Sequence, residues 1–293
     1  MIRQRNICVF FDSVLRKQKK CVKIILLYIG NEVFCMSQVT FFFKELLAAF
    51  LALFTLFGGA FGCAPAKDIC MIAHRGYSQK YPENTALAFE KAAEHGSGGA
   101  ETDIRRTLDG VYVTSHDSEV VFEDNSSMTV EECTYEQLTQ KPLKNKKTRD
   151  KVYLCTFKQY LEIMRDNDMI CFVELKGAYT DEQIKEIFTI AEETYCLEKC
   201  ILQSFNFDNL LKAKELFPEL PVMLTYGTND TGYERCFEYG ISIDTNLNQL
   251  SEEMVEQFHE HGLLVAAYTA NDFLALSYGR SFDLDFLESD VYA

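Results

Sequence analysis

The feature that most constrains this chain is a strand–helix rhythm that begins after Lys67-Asp68 and continues to the end. Apolar runs of strand length recur at residues 69–73, 99–104, 169–175, 200–204, 221–226, 241–246, 263–269 and 284–288. Helix-period segments at 85–94, 156–166, 181–195, 207–216, 252–261 and 272–278 fall between most of them. Continuous apolar strands alternating with amphipathic helices imply a parallel sheet covered by helices. Eight such strands imply closure, so the expected fold is α/β, a (β/α)8 TIM barrel in one domain over residues 67–293. An open doubly wound sheet is the alternative. It calls for a Gly-rich phosphate loop after the first strand, and the sequence has none there.

Two departures from the rhythm stand out. Residues 111–115 are followed by a polar stretch, 117–168, which carries Lys144, Lys146, Lys147 and Arg149 close together. It is longer than an ordinary βα connection and reads as a loop excursion on the catalytic face. Its basic cluster reads first as a solvated face and second as a contact for a substrate headgroup. The chain also stops at Ala293, just after the eighth strand, so the usual last helix is expected to be missing.

Residues 1–66 form a separate basic region, with eight Lys/Arg against three Asp/Glu. The remaining chain then holds 21 basic and 41 acidic residues, a net of −20, which excludes nucleic acid as a partner. Residues 46–61 are uncharged and apolar. They are short of the roughly 18–20 residues that span a bilayer but suit a signal-peptide core. Ala60-Phe61-Gly62-Cys63 resembles a bacterial lipobox, in which Cys63 would be lipidated, and Met36 opens a more ordinary signal-like start. An extracytoplasmic lipoprotein or anchored protein is therefore expected, with a cytoplasmic protein as the alternative. The eleven cysteines form no CxxC pair and read as free thiols of a reducing or anaerobic setting.

The chemistry concentrates between His74 and Lys176. His74 and Arg75 close the first strand, and the C-terminal end of a barrel strand faces the active site. Gly76 permits a sharp exit, and Asn84 is a plausible cap for the next helix. Glu101 and Asp103 lie two apart on the second strand, so both point into the mouth. Adjacent interior carboxylates repel unless a cation neutralises them, and Glu174 at the end of the third strand completes an all-oxygen set. Such a set suits Ca²⁺ or Mg²⁺ better than zinc. A plain Glu174–Lys176 salt bridge is the structural alternative. Asp109-Gly110 marks a turn that returns His116 to the same mouth. Two imidazoles there suit one general base and one general acid. His95, His259 and His261 lie at helix ends and read as structural.

Taken in order, HRG-x5-PENT, E-x-D, T-x-DG-x5-HD and E-L-K resemble the glycerophosphodiester phosphodiesterase family. The likeness continues through Gln203-Ser204-Phe205 and Tyr268-Thr269-Ala270-Asn271-Asp272 to Glu288-Ser289-Asp290. Tyr268 stands where the family usually has Trp. The resemblance implies metal ligands at Glu101, Asp103 and Glu174, catalytic histidines at His74 and His116, and phosphate contacts from Arg75 and Lys176. Tyr268 would then form the wall against the substrate's glycerol. The implied reaction is metal-dependent hydrolysis of a small glycerophosphodiester to sn-glycerol 3-phosphate and an alcohol. A barrel phosphodiesterase acting on lysophospholipids or other lipid phosphodiesters such as phosphatidylinositol-like lipids, or a surface-anchored binding protein without turnover, are the rival expectations.

Overall fold

The computed structural model describes residues 69–291. The expected signal-like segment and Cys63 lie outside the described residues. Strand β1 (Cys70–Ala73), helix α1 (Ala86–Glu94) and strand β2 (Gly99–Arg106) come first. Strand β3 (Tyr112–Thr114) folds back antiparallel on β2, with Thr114 opposite Ile104. Strands β4 (Glu119–Val121) and β5 (Ser127–Thr129) pair with each other and lead into the short helix α2 (Tyr135–Leu138). Regular alternation resumes with α3 (Phe157–Asp166), β6 (Ile170–Leu175), α4 (Asp181–Thr194), β7 (Cys200–Ser204) and α5 (Phe207–Leu216). It continues through β8 (Val222–Tyr226), α6 (Arg235–Tyr239), β9 (Ser242–Asn246) and α7 (Glu252–Glu260). The last elements are β10 (Val265–Tyr268), α8 (Phe273–Gly279) and β11 (Phe286–Ser289).

Strands β1, β2 and β6–β11 are parallel, and β1 pairs with both β2 and β11. The sheet therefore has no free edge. This is the (β/α)8 barrel, and it rules out the open doubly wound sheet. Side chains alternate across each strand, so one set points inward and the other toward the helices. The outward set, including Ala73, Val173 and Leu202, meets Phe89, Leu161 and Ile187 of the helices in the main core. The inward set is apolar at the floor, where Ile72, Phe172, Ile201, Met223 and Ala266 pack together. The Phe172 and Phe286 rings meet edge to face there, 5.0 Å apart. Above that floor the inward positions become polar.

The excursion after β3 is more than a loop. Val113, Val120, Phe122, Val130, Leu138 and Leu154 form a small core of their own, and Phe122 is fully buried. Three-residue strands are too short to show a period of two, so polarity alone registers in the sequence. Helix α6 also escapes sequence reading, because five residues ending at a left-handed Gly240 cannot display a helical period. The caps are mostly as expected of Ser/Thr/Asp: Thr156 and Thr180 form reciprocal capping boxes with Gln159 and Gln183.

Asn84 is a correction. The cap of α1 is Thr85, whose Oγ1 accepts from the Ala88 N–H at 3.2 Å. Asn84 has φ +54° and turns its amide into the barrel instead. The chain between β1 and α1 also depends on Gly76, with φ +77° and an added Cβ falling 2.7 Å from the Ala88 carbonyl carbon. Gly76→Ala is thus both strained and crowded, and we expect a loss of about 1–3 kcal/mol. Denaturant unfolding of the variant beside the native protein measures it.

Candidate active site at the barrel mouth

Five carboxylates occupy the inward positions above the apolar floor. Glu101 and Asp103 come from β2, Glu174 from β6, Asp244 from β9 and Glu288 from β11, and all five are buried. Gln203 of β7 bridges two of them, its amide donating to Asp244 Oδ2 and to Glu288 Oε1, each at 2.8 Å. Two cations face the set. Lys176 Nζ lies 2.9 Å from Asp103 Oδ1 and 2.6 Å from Glu174 Oε1. Arg75 lies 3.5 Å from Asp103 through Nε, and its Nη1 is 3.0 Å from Glu83. The Glu174–Lys176 bridge that the sequence left as an alternative is therefore present, within the carboxylate cluster rather than in place of it.

The charges divide unevenly. Burial pushes Glu101 well above the usual carboxylate range, and repulsion from Asp103, Glu288 and Glu174 adds to it. Burial likewise raises Asp244 and Glu288, whose neighbours are other carboxylates. Glu174 is raised by burial, partly offset by Lys176. Asp103 goes the other way: burial is outweighed by Lys176, Arg75 and the Asn84 amide, so it stays low. One oxygen from each of Glu101, Asp103 and Glu174 lies within 4.8 Å of the other two. Glu101 Oε1 is buried with no hydrogen-bond partner. An orphaned carboxylate oxygen beside two more is a donor set that fits a hard divalent cation.

The two histidines flank this cluster. The His74 N–H donates to the Ser289 carbonyl, continuing the β1–β11 pairing. Its Nδ1 lies 2.6 Å from Asp290 Oδ1, and its Nε2 lies 3.9 Å from Glu101 Oε2. Asp290 is held in turn by the Ser78 hydroxyl at 2.9 Å and by the Asn271 amide. Arg75 has φ +58°, which aims its own N–H at Glu101 Oε2, 2.9 Å away. His116 arrives on the hairpin expected from Asp109-Gly110. The Ser115 N–H donates to the Asp103 carbonyl, and Arg105 donates to the His116 carbonyl through Nε and Nη2. The His116 ring contacts Asp117 Oδ1 at 2.8 Å, and its charge is among the influences on Glu174.

Each residue singled out in the sequence is thus brought to one mouth. Tyr268 is there too, half-buried at the end of β10, with its hydroxyl donating to the Tyr226 carbonyl at 3.1 Å. Asp244 carries no role in the sequence reading, Asn84 reads there as a helix cap, and Glu288 and Asp290 figure only in the last family motif. Asn84 donates to Asp103 Oδ2 at 2.7 Å and accepts from the Thr102 hydroxyl. Asp244 and Glu288 had one legible signal, a charged residue at an inward position of an otherwise apolar run. For Asp290 that motif was the signal, while its pairing with His74 was not legible, because the two lie 216 residues apart.

The chain resembles known proteins in sequence and in fold. The defining pattern of the Glycerophosphoryl diester phosphodiesterase family matches residues 74–290. The chain belongs to this family. The family is one of phosphoric diester hydrolases, and every site residue named above falls inside the matched span. The chain is 32% identical over 161 residues to a glycerophosphodiester phosphodiesterase of Caldanaerobacter subterraneus subsp. tengcongensis, covering 53% of this chain and 66% of that protein. The match thus spans just under two thirds of that relative. A Bacillus subtilis glycerophosphodiester phosphodiesterase is 24% identical over 227 residues, with 70% and 77% covered. Among solved structures, the Thermotoga maritima glycerophosphodiester phosphodiesterase superposes with a TM-score of 0.61 at 25% identity, covering 76% and 94% of the two chains. An Oleispira antarctica phosphodiesterase in complex with the product sn-glycerol-3-phosphate gives a TM-score of 0.66 at 23% identity, covering 76% and 93%.

The buried carboxylates set a pH signature. A carboxyl raised in the folded state binds its proton more tightly there than in the unfolded chain. Glu101, Asp244 and Glu288 therefore favour folding below the ordinary carboxylate range, and that contribution is lost as pH rises through their folded values. In EDTA, the thermal midpoint should fall as pH is raised above the ordinary carboxylate range, and Glu288→Gln should flatten the fall. Parallel slopes for the native and variant proteins would contradict the assignment.

Proposed function

We propose that this protein is a metal-dependent phosphodiesterase that hydrolyses small glycerophosphodiesters to sn-glycerol 3-phosphate and an alcohol. The observation that carries the reading is the convergence of His74, His116, Arg75 and the Glu101–Asp103–Glu174 set at one barrel mouth. Family membership supports it, as does the sn-glycerol-3-phosphate held by the Oleispira antarctica phosphodiesterase of the same fold.

A Ca²⁺ or Mg²⁺ ion held by Glu101, Asp103 and Glu174 would supply positive charge for the phosphoryl oxygens. Arg75 adds a fixed guanidinium on the same side, oriented by Glu83 and Asp103. Lys176, held between Asp103 and Glu174, is within reach of the phosphate as a second donor. Asp290 accepts from His74 Nδ1, so the proton sits there and Nε2 keeps its lone pair toward the site. His74 is then the base that takes a proton from the attacking hydroxyl. His116, across the cluster, is the acid that protonates the departing alkoxide. Tyr268, at the end of β10, forms the wall for the glycerol.

The residues before 69 add a location to this reading. The apolar run 46–61 and Cys63 support attachment at the outer face of a membrane. Among the described residues, no helix is long and apolar enough to cross a bilayer.

Coupled detection of sn-glycerol 3-phosphate from glycerophosphocholine tests the activity. Chelation should abolish turnover and Ca²⁺ or Mg²⁺ should restore it, while Glu101→Gln and Asp103→Asn lose both metal and rate. Full activity in EDTA would overturn the metal requirement. His74→Ala and His116→Ala should each lower kcat by about 10²–10⁴-fold with folding retained. A near-native kcat in either variant removes that histidine from the mechanism.

A further inference from the structure

A cavity of about 370 Å³ opens beside His116, between the barrel mouth and the excursion. Its volume lies in the range of small-ligand pockets. His116, Lys144, Lys146 and Lys147 all line it. Three carboxylates line it as well: Glu83 pairs with Arg75 and Asp117 with His116, while Glu119 accepts from the Ser127 hydroxyl and keeps its charge. Among the described residues, Lys144 and Lys146 form no ion pair. In a chain of net charge −15, two ammonium groups without an ion pair, with Lys147 beside them, outnumber the one unpaired carboxylate of the lining and make this cavity an available anion site.

The turn that carries them is built rather than loose. Asn145 Oδ1 accepts from the Lys147 and Thr148 N–H groups at 2.9 and 3.0 Å, and its amide donates to Thr148 Oγ1 and the Asp150 carbonyl. The Lys144 N–H donates to the Val121 carbonyl of β4 at 2.8 Å. On the other side, Lys147 Nζ donates to the Ser78 carbonyl, and the Ser78 hydroxyl donates to Asp290, the partner of His74. The basic turn is thus fastened between the excursion and the hydrogen-bond network of the proposed base.

We infer that this cavity receives the leaving-alcohol portion of the substrate and selects an alcohol that carries a phosphate of its own. The inference rests on the reading above, in which His116 protonates the departing alkoxide. Since His116 lines the cavity, the substituent on that alkoxide extends into it, while the glycerol lies toward Tyr268. Lys144 and Lys146 then neutralise the second phosphate and leave the scissile one to Arg75.

The test compares glycerophosphoinositol 4-phosphate with glycerophosphoinositol, which differ only in the second phosphate. The phosphorylated substrate should show a kcat/KM at least about tenfold higher, mainly through KM, with a preference that shrinks as NaCl is raised. The Lys144→Ala/Lys146→Ala variant should lower that ratio about tenfold, whereas a folding defect would lower both values together and leave the ratio intact. A native ratio near one, or an unchanged ratio in the double variant, overturns the inference while leaving the phosphodiesterase reading in place. If neither substrate turns over and glycerophosphocholine is not hydrolysed either, the phosphodiesterase reading fails. Calorimetric titration with inositol 4-phosphate against inositol then decides the site alone, and absence of Lys-dependent binding rejects it.

Discussion

Five carboxylates buried at the upper end of a closed parallel barrel are the constraint around which the rest of this structure is arranged. Glu101, Asp103, Asp244 and Glu288 are buried, so each negative charge must be met by a proton, a cation or a hydrogen-bond donor. Lys176 and Arg75 meet Asp103, the Gln203 amide spans Asp244 and Glu288, and Asn84 holds Asp103 from the side. Those partners come from different strands and loops, so the cluster binds together elements that share no sequence neighbourhood. Among what it leaves over is an orphaned oxygen on Glu101 beside two other carboxylates, a donor set that could hold a metal ion.

The barrel tolerates this polar layer because apolar packing lies on both sides of it. Below are Ile72, Phe172, Ile201 and Met223, and outside is the core shared by strands and helices. Neither layer depends on the carboxylates for its own burial. The strands can therefore be held by hydrophobic contact while their upper inward positions carry chemistry. The excursion uses a third, smaller core around Phe122 and Leu138 to hold its own shape. Rigidity there matters because it fixes both the return of His116 and the basic turn at 144–151. Arg75 and Asn84 adopt positive φ at the rim, where their backbone and side-chain donors are aimed at Glu101 and Asp103.

Sequence periodicity determined the number and order of the barrel strands, since burial on both faces leaves continuous apolar runs that few other folds require. It also determined the inward carboxylates at 101, 103 and 174, because a spacing of two on a strand fixes a shared face. The family motifs brought His74 and His116 to one site, and both stand at that mouth in the structure. The sequence could not supply what depends on closure. Asp290 meets His74 only because β11 closes against β1, and Glu288 enters the cluster for the same reason. Asn84 read as a cap because local rules see only the helix behind it, whereas the barrel offers its amide the stronger partner in Asp103. The excursion read as a loop because its strands are too short to print a period, and Lys144 and Lys146 read as a solvated face. Tertiary structure alone sets those lysines over a cavity beside His116, because the chain must fold back across more than twenty residues to close it.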